Sequence, residues 1–548
     1  MKTILMGSLF CLWLSLQGKA QLMNEERQIV YPLNWHTLSF DRDSVYGMEL
    51  DKAYEFLKGK EKKQKVIVAV IDGGFDEQHE DLKEVLWRNR REVPDNGADD
   101  DKNGYADDLH GWNFLVTKDG KPVTRTMQDG AILFLRHRER YDALSAKKRN
   151  AKEEKEYQEL KKLLWKSELG VKYLSIELAL AFRKYIEEYD REMKVRFPGE
   201  VLKHEHFNAV LDTKNETDTL KLAAHMFYNI MWDMQPESSW DKMFAGRLAS
   251  EKVAREQYED LLAKQTDERK QVGDDMENLK DRAYGSPILL NETSEHGTHV
   301  AGIIGAQRGN EIGMDGVADN VELMLIGAIP NGDENDKDVA LAIRYAVDNG
   351  ARVINMSFGK RVSIHPEWVA EAMRYAEKKG VLLVLAAGNA HQNIDNDSFY
   401  PTRHISPKKS IGTFLRVGAS DPEGHPAVSS NYGKREVDVF APGADIYSTV
   451  TGDNYRKMDG SSMACPMVSG VAALLMTYYP ELSAAEIKDI IIRTAITRKG
   501  CRVQMPQSPS MAVARKLADF SDVCVAGGIV NAYEAVKLAE RMVNAKKK

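Results

Sequence analysis

Val66-Ile67-Val68-Ala69-Val70-Ile71-Asp72-Gly73-Gly74 decides how this chain folds. Six apolar, mostly β-branched residues run without a polar interruption and stop at an aspartate and two glycines. A strand of that kind is buried on both faces, which happens in parallel sheets covered by helices. The run also leaves one carboxylate, Asp72, where the strand ends. The carboxyl ends of strands in open parallel sheets are where sites collect. Taken alone, an aspartate before two glycines is first of all a turn residue.

Working outward, the same texture returns after Pro287. Glycine-flanked apolar runs (353–356 and 381–385) alternate with stretches of helical apolar spacing (338–349 and 366–379). Alternating strands and helices imply a sheet with helices on both faces. The expected fold class is therefore α/β, a three-layer sandwich with a mainly parallel sheet. Between the two parts, about residues 130–273, charged and straight-chain residues dominate. Tyr157, Leu160 and Leu164 follow the i, i+3, i+7 spacing of an amphipathic helix, and 251–270 is similar. This region reads as a helical insertion of several helices, with breaks at Gly170 and Pro198-Gly199. The expected organisation is 1–20 signal peptide, 21–64 N-terminal segment, 65–129 first part of the main domain, 130–273 helical insertion, 274–500 second part, and 501–548 C-terminal extension.

Composition excludes some classes. With 43% hydrophobic and 29% charged residues the chain is globular rather than disordered. A formal net charge of −7 gives no electrostatic case for nucleic acid as a partner. Met1-Lys2, the apolar run 4–16 and Gly18-Lys19-Ala20 form the three parts of a secretory signal peptide cleaved before Gln21. Export to a periplasm or the outside is expected, with no membrane span in the mature chain, since no later run approaches spanning length. Cys11 would leave with the signal. Of Cys465, Cys501 and Cys524, the second and third flank one loop-like stretch and could pair. The sequence leaves that open. Cys465, at a Gly/Ala-rich helix start, reads as a buried, inert thiol.

Hydrolysis by a serine nucleophile needs a hydroxyl, an imidazole to take its proton, a carboxylate to orient the imidazole, and donors for the oxyanion. His296 lies in Ser294-Glu295-His296-Gly297-Thr298-His299, where small neighbours open a helix. His296 and His299 could also sit on one helical face as metal ligands, but no His-Glu-x-x-His run accompanies them. Ser462 lies in Gly460-Ser461-Ser462-Met463-Ala464 ahead of an apolar helix, whose first amides favour developing negative charge; Ser461 or Ser462 could equally be an N-cap. Asn389 ends an apolar run at Ala386-Ala387-Gly388-Asn389, and its amide is a neutral donor to an oxyanion; viewed alone it reads first as a turn asparagine. The order Asp, His, Ser is that of subtilisin. The motifs around Asp72, His296, Asn389 and Ser462 together resemble the four signatures of the subtilisin-like, or subtilase, family. Weaker blocks at 353–359, 430–433 and 441–443 agree. The resemblance covers about residues 64–115 and 285–495.

The resemblance implies a serine endopeptidase acting on polypeptides through an acyl-enzyme, with no cofactor for catalysis. Ser462 would be the nucleophile, His296 the base and then the acid, and Asp72 its orienting partner. Asn389 and the Ser462 amide would hold the oxyanion. Ser357-Phe358-Gly359 would bind the substrate backbone. Three departures stand out. Gly73 replaces the usual hydroxyl residue after the aspartate and cannot donate to it through a side chain. Asp72 and His296 lie 224 positions apart, with the insertion between them as a lid, a docking surface, an inhibitory element or a passive decoration. The segment before Asp72 is too short for the usual inhibitory propeptide. An acidic loop, Asp99, Asp101, Asn103, Tyr105, Asp107 and Asp108, resembles the first half of a calcium loop with Gly104 at its bend, although His110 takes the place of the closing glutamate. A structural Ca²⁺ is expected there, against a solvated acidic turn. The alternative for the whole chain is a catalytically silent binding protein of the same fold. An α/β-hydrolase esterase is disfavoured because Ala464 stands where its Gly-x-Ser-x-Gly elbow needs glycine.

Overall fold

The computed structural model describes residues 30–117, 119–211, 216–233, 238–265, 267–406, 409–506 and 517–547. The expected signal peptide lies outside them. The chain forms two compact units. One is Gln128–Thr266, and the other joins the chain before it to Asp267–Lys548.

The larger unit is built on a nine-stranded sheet. Its strands lie in the order 496–497, 528–529, 439–442, 414–420, 382–386, 353–356, 66–72, 321–327 and 111–113. Only the first pair is antiparallel; Val66–Asp72 runs parallel to both Val321–Gly327 and Val353–Met356. The apolar run that opens the sequence argument is central, and its alternation loads both faces. Val66, Val68 and Val70 pack into one core with helices Ser294–Gly305, Ser461–Tyr478, Ala484–Arg493 and Ala532–Lys546. Ala69 and Ile71 pack into the other, with helices Asp336–Asp348 and Pro366–Lys378. This is the three-layer arrangement expected from the alternation of elements.

Helix Ser461–Tyr478 is the one described helix long and apolar enough to cross a membrane, contrary to the sequence expectation that no later run reaches that length. It is apolar because 94% of it is buried in the sheet's own core. The first and last longer helices of the larger unit pack together. Helix Leu50–Leu57 packs on helix Ala532–Lys546, with Leu50, Ala53 and Val536 in one cluster. The Trp35 indole, fully buried, donates to the Ala444 carbonyl at 3.1 Å. Residues 267–273 belong to the larger unit because Arg269, 1% exposed, grips Asp338 with two hydrogen bonds of 2.7 and 2.8 Å and also pairs with Asp274. Such a buried, bidentate pair is strongly destabilising to break.

The smaller unit is helical: Asp129–Ser145, Ala151–Leu164, Glu168–Arg196, His204–Ala209, Thr219–Asp233 and Trp240–Ala263. Phe182, Tyr189, Phe207, Tyr228, Trp232 and Trp240 form its aromatic core. The expected break at Gly170 is displaced. The chain turns at 165–167, Ser167 caps the long helix, and Gly170 is glycine because a Cβ there would overlap the Leu164 carbonyl. The three described cysteines are free thiols, so Cys501 and Cys524 do not pair. Cys465 is fully buried, and burial pushes its thiol up to about 12.

Candidate active site

Four elements bring the singled-out residues to the carboxyl ends of the central strands. Asp72 is the last residue of its strand and is 3% exposed. His296 is in the first turn of helix Ser294–Gly305, and its Nδ1 lies 2.8 Å from Asp72 Oδ1. A carboxylate only accepts, so Nδ1 carries the proton and Nε2 is left with a lone pair. Burial works to lower the His296 pKa, but the Asp72 charge and hydrogen bond outweigh it and hold it above the ordinary value.

The Gly73-Gly74 departure has a packing reason. The Gly73 amide donates to Asp72 Oδ1 at 2.8 Å, so the backbone makes the bond that a side chain was expected to supply. An ideal Cβ at Gly73 would lie 2.6 Å from both the Ile329 carbonyl oxygen and Thr293 Oγ1, and one at Gly74 would overlap the Asn291 amide. Asn291 in turn donates to the Gly73 carbonyl at 3.0 Å. The two glycines thus admit the turn that precedes the His296 helix. Asp72 Oδ2 is buried and accepts no hydrogen bond among the described residues. Gly73→Ser, although it restores the family's usual residue, is expected to cost about 1–3 kcal/mol by overpacking against backbone. Urea unfolding of the two proteins checks this, and a more stable serine variant would refute the packing account.

Ser462 is the second residue of helix Ser461–Tyr478. Neither serine caps the helix; Gly460 occupies that position at φ 139°, and a Cβ there would come within 2.9 Å of Asn389 Nδ2. Ser461 instead fixes Asn389. Its amide and hydroxyl both donate to Asn389 Oδ1, at 2.9 and 3.0 Å. With its oxygen held, the Asn389 side chain presents its NH₂ as a donor. Asn431, fully buried, braces the same loop, accepting from the amides of Ala390 and Gln392 and donating to the Ala387 carbonyl at 2.8 Å. The sequence singled out neither Ser461 nor Asn431 for this role; the 430–433 block carried the only signal for the latter.

Ser357 joins the strand end to the Ser462 helix. Its hydroxyl donates to the Ser462 carbonyl at 2.9 Å, and its carbonyl accepts from the Ser462 hydroxyl at 3.1 Å. Among the described residues no hydrogen bond links Ser462 to His296; the Ser462 hydroxyl donates to the Ser357 carbonyl instead. Phe358 is 9% exposed, and Gly359 lies against the Phe399 ring and the Tyr400 carbonyl. His299 is not aimed at the site. It is fully buried with Nε2 3.0 and 3.1 Å from the Ile446 and Arg456 carbonyls, and burial lowers its pKa to about 4.

The acidic loop sorts its carboxylates. Ligand oxygens of Asp99, Asp101 and Glu92 lie within 4.8 Å of one another. Glu92, which precedes the acidic run, is not among the residues that the sequence singles out. Asp107 accepts from the amides of Asn96 and Gly97. Asp108 is fully buried under Asn89, Asn103 and Tyr345, and burial raises its carboxyl to about 6. Asn103 donates its amide nitrogen to Asp108, and the Tyr105 ring packs on Trp112 and Tyr345.

A family model described as the subtilase family, Peptidase S8, matches residues 63–521. A thermophilic serine proteinase of Bacillus sp. (strain AK1) is 42% identical over 210 residues, 38% of this chain and 48% of that protein. A thermostable alkaline protease of Halalkalibacterium halodurans is 37% identical over 219 residues, 39% of this chain and 57% of that protein. The chain thus spans about half the length of these curated relatives. Among solved structures, the prenylagaramide maturation protease PagA matches at 27% identity and a TM-score of 0.37, over 45% of this chain and 82% of that one. The chain belongs to the subtilase family.

Proposed function

We propose that the protein is a serine endopeptidase that hydrolyses polypeptides through an acyl-enzyme on Ser462. The observation that carries this reading is the 2.8 Å bond from His296 to Asp72 at the sheet edge where Ser462 and Asn389 also emerge. His296 Nε2 takes the Ser462 proton as Oγ bonds to the scissile carbonyl carbon, and the oxyanion is met by the Asn389 NH₂ and the Ser462 amide. The proton then passes from Nε2 to the leaving nitrogen as the C–N bond breaks. Water repeats the cycle on the ester. Asp72 holds the ring in the productive tautomer and steadies its cation. Ser357, Phe358 and Gly359 line the path of the substrate backbone. Residues 1–20 would direct export before cleavage.

The converging carboxylates of Glu92, Asp99 and Asp101 fit a structural Ca²⁺: Arg91 pairs with Asp101 at 2.8 Å and offsets one of the three negative charges, and a bound cation would offset the rest. Asp107 and Asp108 are engaged elsewhere, so the ligand set differs from the one the sequence suggested. Calcium at a hundredfold above its dissociation constant is expected to stabilise the fold by about 2.7 kcal/mol. One experiment covers both statements: casein hydrolysis and thermal unfolding of the purified chain, with calcium and with chelator. Hydrolysis that a fluorophosphonate abolishes, and a lower Tm in chelator, are the expected results. A folded chain that never cleaves casein refutes the peptidase reading, and an unchanged Tm refutes the calcium site.

A further inference from the structure

A cavity of about 470 Å³ opens between the bend of the acidic loop and the carboxyl end of helix Asp336–Asp348. Arg91, Arg282 and Arg344 line it, with Asp348 as the one lining carboxylate among the described residues; Tyr105 and Leu341 give it apolar wall. Its volume falls in the range of about 300–1,000 Å³ typical of small-molecule pockets. It shares no residue with the active site, and it takes none of the acidic loop's carboxylates. Three guanidinium groups around one carboxylate run against the chain's formal net charge of −7.

Two of these charged groups are matched. Arg91 lies 2.8 Å from an Asp101 oxygen and donates to Asn349 Oδ1 at 3.2 Å. Asp348 accepts from the Tyr375 hydroxyl at 2.5 Å. Arg282 and Arg344 are different: among the described residues neither forms an ion pair or a side-chain hydrogen bond. Arg344 lies over the Tyr375 ring at 5.3 Å, and its Nε is buried with no acceptor. The helix end does not call for them. The Tyr345 carbonyl accepts from the Asn349 amide and side chain, the Ala346 carbonyl from the Ala351 amide and the Val347 carbonyl from the Gly350 amide. A buried N–H without an acceptor is costly. Guanidinium groups that share one cavity are suited to oxyanions, which their planar forks meet with two bonds each.

We propose that this cavity binds a small molecule with a doubly charged oxyanion head, a phosphate monoester, held by Arg282 and Arg344. Two unpaired cations match two negative charges; a monocarboxylate leaves one guanidinium unmatched. The body of the ligand lies on Leu341 and the Tyr105 ring, which are 1% and 9% exposed. Hydrogen bonds to charged groups contribute enough that removing either guanidinium is expected to weaken binding by about 10–100-fold. The site stands whether or not Ser462 attacks peptides.

The test is calorimetric titration of the purified full chain with phenyl phosphate and, separately, with benzoate, at fixed calcium and ionic strength. The expected result is saturable binding of one phenyl phosphate per chain, at least about tenfold tighter than benzoate. Arg282→Gln and Arg344→Gln should each weaken it by about 10–100-fold. Arg90→Gln should leave it unchanged, since Arg90 is exposed and does not line the cavity. Arg344→Gln gives up the stack on Tyr375; if that variant does not fold, Arg282→Gln decides alone, because Arg282 is exposed. No saturable binding overturns the site, and so does binding that Arg282→Gln leaves unchanged or that Arg90→Gln weakens as much. Benzoate bound as tightly as phenyl phosphate overturns the doubly charged head group.

Discussion

Ser462→Ala is expected to lower kcat by about 10⁶-fold with KM changed by no more than about threefold, the scale known from subtilisin itself. The alanine removes only the hydroxyl. The Ser462 amide, the Asn389 side chain held by Ser461, and the Ser357 segment all remain, so binding should persist. The residual rate, about 10³–10⁴-fold above water, would measure what the oxyanion donors contribute without a nucleophile. Progress curves at saturating peptide give the answer. A loss of only a few-fold would mean that another group attacks. Because the Ser462 hydroxyl donates to the Ser357 carbonyl, the alanine variant should also fold normally: this bond spans two segments already joined by Ser357 Oγ and the Ser462 carbonyl.

Asp72→Asn should cost about 10⁴-fold in kcat through the wrong tautomer. The amide can offer an N–H to His296 Nδ1, which then accepts, and the proton sits on Nε2 where a lone pair is needed. The pH profile separates this from a packing defect. In the native protein, burial alone would lower the His296 pKa, and the Asp72 charge and hydrogen bond raise it above its ordinary value of about 6.5. In the proposed mechanism the base is the neutral ring. Activity is therefore full above the raised pKa and is lost as pH falls through it, so the acid limb of kcat/KM should lie above about 6.5. In Asp72→Asn the supporting charge is gone and burial still acts, so the limb should move to lower pH. A limb that stays in place in the variant would show that Asp72 does not govern His296.

Much of this site was legible because its parts are local. An apolar β-branched run stopped by aspartate and two glycines favours a buried strand end, and His296, Asn389 and Ser462 each sit in a short block whose small residues have close-packing reasons. What stayed hidden depends on distant partners. Gly73 looked like a lost donor, yet its own amide makes the bond, and the Ile329 carbonyl and Thr293 fill the space a side chain would need. Ser461 looked like a cap, yet its partner is Asn389, seventy-two positions away. The acidic loop showed its charge but not its geometry: Asp108 turns inward to Tyr345, and Glu92 enters from outside the motif. An apolar helix after Ser462 was expected, but not its full length of 461–478: glycine and serine positions break the apolar run in sequence, while in space 94% of the helix is buried. Cys501 and Cys524 bracket a segment in sequence but are free thiols.

The most direct measurement is mass spectrometry of the purified chain after reaction with a fluorophosphonate, with the adduct located by peptide mapping. One adduct per chain, on Ser462, abolished by Ser462→Ala and strongly slowed by Asp72→Asn, is the result expected of a hydroxyl activated by His296. A folded chain that takes no adduct, or takes it on another residue, contradicts the assignment.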